Sequence, residues 1–208
     1  MNYKFVTAVH GNEPIPVFAL ADLNVKQYIA NKRALIEHRR FIDADLNSVF
    51  GVEGKGYEYD QAKEMLNEIS PEEKVIDLHS FSAVSEPFVV VVNENMIDLA
   101  IKTGLSNIVI MEHNIKNGHA LINYRKGISV EIGHHKSHES FIIAQNVYKN
   151  LLNNFVPKKK PSLFRVFGII TEPGEYVNFT QSSQGFYPVL AGEKAYDFYG
   201  LKAKKESL

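Results

Sequence analysis

The sequence predicts an α/β fold in which helices cover both faces of a mostly parallel sheet. Short runs rich in Val and Ile, typical of buried strands, alternate with segments whose apolar residues recur every three or four positions. The chain has 208 residues, of which 45% are hydrophobic, so it is long enough to bury a core of this kind. In such sheets, binding sites gather at the ends of the strands.

Six strands are predicted from apolar, β-branched runs that end at turn-forming residues. They are Tyr3–Val9, Val25–Ala30, Lys74–Leu78, Phe88–Val92, Asn107–Met111 and Gly127–Ile132. Helical periodicity predicts three helices, at Tyr59–Ile69, Asn95–Lys102 and about His138 to Asn154. Ser137 is a suitable N-cap for the last of these helices.

A second, smaller unit is predicted at the C-terminal end of the chain. The segment Val156–Pro161 is polar and bracketed by prolines, and the short strands predicted after it are broken by proline and glycine. We interpret its three lysines as a solvated linker rather than a phosphate-binding patch. The predicted division is therefore an α/β domain at 1–156 and a small β-rich domain at 157–208, which packs against the first because of its size.

The composition excludes several classes of function. Lys and Arg number 23 against 24 Asp and Glu, a formal net charge of −1, so we expect neither nucleic acid nor an anionic membrane as a partner. The absence of cysteine excludes disulfides, thiolate metal sites and cysteine nucleophiles. The longest apolar run, Phe88–Val92, is too short to span a bilayer, and the N-terminal segment lacks a signal-peptide pattern. We expect a cytoplasmic protein.

Two histidines at predicted strand ends are candidate metal ligands. His10 follows the first strand, with Glu13 three residues later and Gly11 allowing a tight turn between them. His79 ends a buried-type strand and shares one face with Asp77 because side chains alternate along a strand. Each pair alone is also typical of a polar loop or a structural histidine, so convergence on one ion is a hypothesis at this point.

Glu131 is a carboxylate within an apolar strand, a placement that costs free energy unless the group is paired, protonated or at a cavity. Burial raises the pKa of a glutamate towards neutrality, which suits a general base. A solvent-facing glutamate on an edge strand is the alternative. Histidines at positions 134, 135 and 138 follow Glu131, and we interpret them as a polar turn before the last helix rather than a second metal site.

Six segments occur in an order typical of one enzyme family. They are His10-Gly-Asn-Glu13, Asn31-x-Arg33-Ala34, Arg40-Phe-Ile-Asp43-x-Asp45-Leu-Asn47-x-x-Phe50, Asp77-Leu-His79-Ser80, Val130-Glu131-Ile132-Gly133 and Tyr187-Pro188-Val189. In these segments the chain resembles the succinylglutamate desuccinylase/aspartoacylase family, which is related to the zinc carboxypeptidases. The resemblance spans nearly the whole chain and implies a three-layer α/β/α domain with a mixed, mostly parallel sheet and a small C-terminal β domain.

The resemblance also implies a role for each matching residue. It implies one zinc ion per chain, held by His10, Glu13 and His79, with Glu131 as general base and acid. It implies that Arg40 polarises the scissile carbonyl and stabilises the oxyanion. Three nitrogen and oxygen ligands leave a coordination position open for water, and a guanidinium is a permanent cation, so the residue chemistry agrees with these roles.

The substrate-binding residues implied by the resemblance include one departure from the family pattern. Asn47 matches a residue that holds the substrate carboxylate, and Tyr187 matches a tyrosine that the C-terminal domain contributes to the pocket. The next family position, usually an arginine that pairs with that carboxylate, is Ser48 here, and a hydroxyl cannot replace a bidentate cation. Arg125 is either a compensating cation or a surface arginine.

The sequence therefore predicts a zinc-dependent amidohydrolase that removes an acyl group from an N-acyl amino acid or a related small amide. The missing arginine favours one alternative, a carboxypeptidase-like peptidase or amidase acting on a larger substrate. The other alternative is a non-catalytic zinc-binding regulatory module. A site without turnover requires neither Glu131 nor Arg40, so their presence opposes this second alternative.

Overall fold

A computed structural model describes residues 3–111 and 118–208, and over these ranges the chain forms one nine-stranded mixed sheet in the order β2-β1-β3-β6-β4-β5-β7-β9-β8. The strands are β1 (Tyr3–Thr7), β2 (Tyr28–Ile29), β3 (Lys74–Phe81), β4 (Phe88–Val91), β5 (Asn107–Ile110), β6 (Gly127–His134), β7 (Ser162–Ile170), β8 (Tyr187–Val189) and β9 (Gly200–Glu206). The pairings β2-β1-β3-β6 are parallel, whereas β4 runs antiparallel to β6. The prediction of a mixed, mostly parallel sheet is confirmed for this half of the molecule.

Helices cover the sheet on both faces. They are α1 (Ile15–Asp22), α2 (Lys32–Ile36), α3 (Tyr57–Glu68), α4 (Ile97–Ile101), α5 (Leu121–Tyr124) and α6 (His138–Leu152), with short 3-10 turns at Leu46–Ser48 and Glu94–Met96. On one face, α1, α4 and α6 bury their apolar sides against alternate residues of the central strands. The opposite face carries two separate apolar clusters, one under α3 and one formed by residues of β4, β5, β7, β8 and β9.

The polar residues of the central strands lie on this second face. Ile76 and Leu78 of β3 point into the continuous core on the first face, so the alternation of a strand places Asp77 and His79 on the other. Asp77 and His79 are paired in register with Ser129 and Glu131 of β6. Four polar side chains thus emerge side by side from the middle of the sheet.

The residues after the predicted linker extend the same sheet. β7 pairs in parallel with β5, and β9 pairs antiparallel with both β7 and β8. Phe164 of β7 and Leu201 of β9 are almost completely buried in the second cluster of this face. Division into domains at 1–156 and 157–208 stays a prediction, while the structure joins both segments through continuous strand pairing.

Each of the six predicted strands and three predicted helices has a counterpart in the structure, with shifted bounds. The second strand is only two residues long, and β3 and β6 continue further than predicted. The sequence prediction lacked α1, whose residues Pro16, Val17, Ala19 and Leu20 are buried between the sheet and α6. Its exposed residues include the apolar Phe18 and Ala21, so this short helix has no polar stripe and no clear helical period. In the part of the chain that the structure describes, no helix is both long and apolar enough to cross a membrane.

Candidate metal centre

His10, Glu13 and His79 form a buried cluster whose ligand atoms all lie within 4.8 Å of one another. Glu13 Oε1 is 2.7 Å from His10 Nδ1, and Glu13 Oε2 is 3.2 Å from His79 Nδ1. The backbone N–H of Ser80 donates to Glu13 Oε2 at 2.9 Å, which fixes the carboxylate between the two rings. The three residues that the sequence analysis proposed as ligands are therefore brought together from β3 and from the loop after β1.

Each histidine of the cluster has a second carboxylate behind its ring. His79 Nε2 is 2.8 Å from Asp77 Oδ2, and His10 Nε2 is 3.0 Å from Asp45 Oδ1. Both rings consequently present Nδ1 to Glu13, and a carboxylate holds each Nε2. Histidine ligands of metals typically have a carboxylate on the far ring nitrogen, because it sets the tautomer and the ring orientation. This donor set and its outer partners fit a single zinc ion.

Electrostatic coupling within the cluster is strong. Burial raises the pKa of Glu13, but the charges of His10 and His79 and their hydrogen bonds outweigh it and hold that pKa well below the ordinary value. Burial lowers the pKa of His79, but the Asp77 charge and hydrogen bond outweigh it and raise that pKa well above the ordinary value. The two shifts have opposite signs because the charged forms of the His79 ring and the Glu13 carboxylate attract each other.

The loop that carries His10 and Glu13 is held by close backbone packing. A Cβ atom added to Gly11 would lie 2.1 Å from the backbone carbonyl carbon of Ala34, so only glycine fits at this position. The N–H of Gly11 donates to the Arg40 carbonyl at 3.0 Å. These contacts connect the ligand loop to α2 and to the segment that follows α2.

Arg40 lies against the cluster with 22% of its side chain exposed. Its Nε and Nη2 donate to Asp45 Oδ2 at 3.1 and 3.0 Å, and Nη2 is 2.9 Å from His10 Nε2. Its Nη1 lies 3.6 Å from Glu13 Oε1. Burial lowers the pKa of Arg40, but the neighbouring carboxylates of Asp45 and Glu13 outweigh it and keep the guanidinium charged. A fixed cation therefore lies beside the ligand set.

Glu58 of α3 holds the loop that carries Arg40 and Asp45. Its side chain is fully buried. Oε1 accepts hydrogen bonds from Asn31 Nδ2 and the N–H of Ile42, at 3.0 and 2.6 Å. Oε2 accepts from the N–H groups of Asp43 and Ala44, at 2.9 and 3.1 Å. The sequence analysis assigned no role to Glu58 or Asp45, although Asp45 lies within the motif that it quoted.

Glu131 shares a cavity with the cluster. That cavity is lined by residues of the cluster and its surroundings, including His10, Glu13, Arg40, Asn47, His79, Glu131, Glu193 and Tyr196. Glu131 is half-buried on β6, which lies between β3 and β4, so the alternative of an edge-strand glutamate is wrong. A carboxylate that lines this cavity opposite His79 is placed to exchange a proton with a molecule bound there.

Comparison with known proteins identifies the family. Residues 5–140 match the model of the succinylglutamate desuccinylase/aspartoacylase catalytic domain. The chain belongs to the succinylglutamate desuccinylase/aspartoacylase family. No curated protein matches the sequence.

Solved structures of this family share the fold of the chain. The succinylglutamate desuccinylase from Chromobacterium violaceum superposes with a TM-score of 0.76 at 15% identity, over 99% of this chain and 85% of that one. Murine aminoacylase 3 gives a TM-score of 0.76 at 18% identity, over 99% of this chain and 95% of that one. At these identities the likeness shows the fold, which is the zinc carboxypeptidase-like fold predicted from the sequence.

The predicted substrate residues of the desuccinylase/aspartoacylase pattern lie in different places. Asn47 lines the cavity and accepts a hydrogen bond from the Leu121 N–H at 3.3 Å. Tyr187, on β8, packs its ring 5.5 Å from that of Phe164, within an apolar cluster. Among the described residues, the C-terminal tyrosine that lines the cavity is Tyr196, which has no motif around it in the sequence.

Neither Arg125 nor Ser48 lines the cavity. Arg125 donates through Nε to the Ile69 carbonyl at 2.8 Å, through Nη2 to the Leu66 carbonyl and through Nη1 to the Tyr124 carbonyl. Ser48 is exposed on the 3-10 turn after Asp45. Neither side chain therefore forms part of the cavity wall, although Ser48 directly follows Asn47, which does.

Within the described ranges, the histidines after Glu131 form no second cluster of candidate metal ligands. The one such cluster in these ranges consists of His10, Glu13 and His79. His135 Nδ1 lies 2.8 Å from Ser80 Oγ, and burial lowers the pKa of this histidine. His138 begins α6, directly after its N-cap Ser137, as the sequence analysis predicted.

Proposed function

We propose that the chain is a zinc-dependent amidohydrolase that removes an acyl group from an N-acyl amino acid or a related small amide. The observation that carries the proposal is the placement of a three-ligand set, a carboxylate and an arginine around one cavity. His10, Glu13 and His79 would hold one zinc ion per chain. Zinc in a set of this kind supplies a Lewis acid for amide hydrolysis.

The side chains around the ligand set divide the remaining chemistry. Glu131 takes a proton from the attacking water and delivers it to the leaving amine, since a half-buried carboxylate can act as base and then as acid. Arg40 stabilises the negative charge that develops on the carbonyl oxygen. Asp77 and Asp45 hold the two histidine rings in one orientation. Asn47 and Tyr196 line the cavity as neutral hydrogen-bonding groups for the substrate.

We propose a small-molecule substrate for this family member. The alternative substrate is a larger peptide or amide. The exposed Ser48 favours the alternative, because this position offers no cation for a free carboxylate. A panel of N-acyl amino acids and short peptides, assayed with zinc-loaded and metal-stripped protein, distinguishes the two. Zinc-dependent release of free amino acid from the N-acyl compounds supports the proposal. Cleavage of peptides alone favours the peptidase, and no turnover of either class supports a non-catalytic module.

A further inference from the structure

A second cavity continues from the candidate metal centre and shares Asn47, Glu131, Leu190 and Tyr196 with it. Its volume is about 50 Å³, a few times the space that one buried water requires. A group of a few carbon atoms bound there would lie beside a bond undergoing reaction at Glu131. The chemistry of the cavity wall therefore bears on the substrate.

The wall of this second cavity is largely apolar. Val90 and Val92 come from β4 and the residue after it, Met111 follows β5, Ile122 lies in α5 and Leu190 follows β8. Four of these five side chains are less than a tenth exposed. Each belongs to an apolar cluster or packs against one, so the wall is a rigid part of the fold. Such a surface favours a hydrocarbon group, because binding removes apolar area of both the group and the wall from water.

The wall offers no positive charge among the described residues that line it. The polar groups there are Asn47, Asn123, Ser129 and Tyr196, which are neutral, together with the Glu131 carboxylate. Arg125 is held by three backbone carbonyls, so it supplies no cation to the cavity. An anionic substrate group placed here would lose its water without gaining an ion pair from the described residues of the wall, and it would lie beside the Glu131 carboxylate.

From this wall and its charges, we infer that the cavity binds a small uncharged hydrocarbon group of the substrate, next to the scissile amide. The inference rests on the proposed function and specifies its substrate class: an N-acyl amino acid or amide with an aliphatic group on one side of the scissile bond. The described residues of the same wall disfavour an acidic group at that position. The size of the cavity suits a branched chain such as that of leucine.

Two pairs of nearly isosteric substrates test this inference on either side of the bond. On the amine side, N-acetyl-leucine has an isopropyl group where N-acetyl-aspartate has a carboxylate. N-(4-methylpentanoyl)-glycine and N-succinyl-glycine differ in the same way on the acyl side. We expect kcat/KM to favour the hydrocarbon member of at least one pair by about tenfold or more. The inference would be overturned if neither pair favours its hydrocarbon member.

A matched pair of variants tests whether this cavity causes the preference. Val90→Thr adds a hydroxyl to the wall without changing its shape, and Val91→Thr makes the same change on the opposite face of the sheet, within the main core. We expect the hydrocarbon-to-acid ratio to fall about tenfold in Val90→Thr and to stay at the wild-type value in Val91→Thr. An unchanged ratio in Val90→Thr, or an equal fall in both variants, would overturn the inference.

Binding of the products separates the inference from the proposed function. Calorimetric titration of zinc-loaded protein with 4-methylpentanoate, succinate, leucine and aspartate requires no turnover. The inference expects tighter binding of the hydrocarbon member of at least one pair, lost in Val90→Thr and kept in Val91→Thr. If all four amides resist hydrolysis while binding discriminates in this way, the proposed function fails and the inference stands. Binding that favours the acidic members overturns the inference, whatever the activity.

Discussion

Replacement of Glu58 by glutamine is expected to lower the free energy of unfolding, because one oxygen that accepts two buried hydrogen bonds becomes an NH2 group. Either orientation of the amide removes acceptors from two donors: Asn31 Nδ2 and the Ile42 N–H, or the N–H groups of Asp43 and Ala44. A buried donor left without a partner costs about 1–3 kcal/mol. The expected loss in the free energy of unfolding is therefore about 2–6 kcal/mol.

The pH dependence of this effect follows from the pKa of Glu58. Burial raises that pKa, but hydrogen bonds from the Ile42 and Asp43 N–H groups, from Asn31 and from the Ala44 N–H outweigh it and lower the pKa below the ordinary value. The stabilisation is therefore complete above the ordinary glutamate pKa and is lost as the pH falls through the lowered, folded-state pKa. The difference between wild type and Glu58→Gln should be widest near neutral pH and should shrink on acidification.

Urea denaturation followed by circular dichroism measures both effects. Glu64→Gln is the matched control, because Glu64 lies on the same helix but is exposed, and surface changes usually alter the unfolding free energy by about 0.5 kcal/mol or less. A Glu58→Gln variant as stable as this control at neutral pH would refute the account of how the Arg40 loop is held.

Three further predictions concern the ligand loop, the outer carboxylate and the neutral position in the family motif. Gly11→Ala should lower the free energy of unfolding by about 1–3 kcal/mol or more, measured in urea, because its Cβ would lie 2.1 Å from the Ala34 backbone. Asp77→Asn should weaken zinc binding about 10- to 100-fold in a competition titration, because the His79 ring loses its charged partner. Ser48→Arg should raise the kcat/KM preference for an N-acyl amino acid over its carboxamide by roughly 10- to 100-fold, since an added ion pair contributes about 1.5–3 kcal/mol.

Two of these changes have a control within the chain, and the third has an outcome that would contradict it. Gly168→Ala meets no atom within 4 Å, so it should be far milder than the change in the ligand loop. Asp98→Asn removes an exposed carboxylate from α4 and should leave zinc affinity unchanged. The third prediction would be contradicted if wild type already prefers the acid strongly and Arg125→Ala abolishes that preference. Arg125 would then contact the substrate, and its hydrogen bonds to backbone carbonyls would not be its only role.

The cluster of His10, Glu13 and His79 and the centre of the sheet were predictable because local sequence marks the residues involved. His79 and Glu131 end or interrupt apolar strands, and a polar residue in such a run indicates a site whatever the rest of the chain does. Motif order then related them to His10 and Glu13. Register adds what sequence could not supply, namely that His79 and Glu131 are direct neighbours on adjacent strands.

The cavity beside the cluster was less predictable, because residues distant in sequence form it without a local pattern. Tyr196 and Leu190 lie in loops around β8 and β9, and their contact with β4 and β6 depends on where the last strands join the sheet. Tyr187 lies in β8, and its side chain packs on Phe164 rather than facing the cavity. Glu58 was missed because a helical glutamate in an amphipathic segment is normally solvated, and only the fold shows that a loop covers it.

The central claim, metal-assisted amide hydrolysis with Glu131 as general base, is tested most directly by Glu131→Gln measured for zinc content and for turnover on the same sample. The substitution keeps the shape of the side chain and removes its basicity, while His10, Glu13 and His79 are unchanged. The account predicts about one zinc per chain in both proteins and a loss of kcat by several orders of magnitude in the variant. Loss of zinc from the variant, or turnover close to wild type with zinc retained, would contradict it.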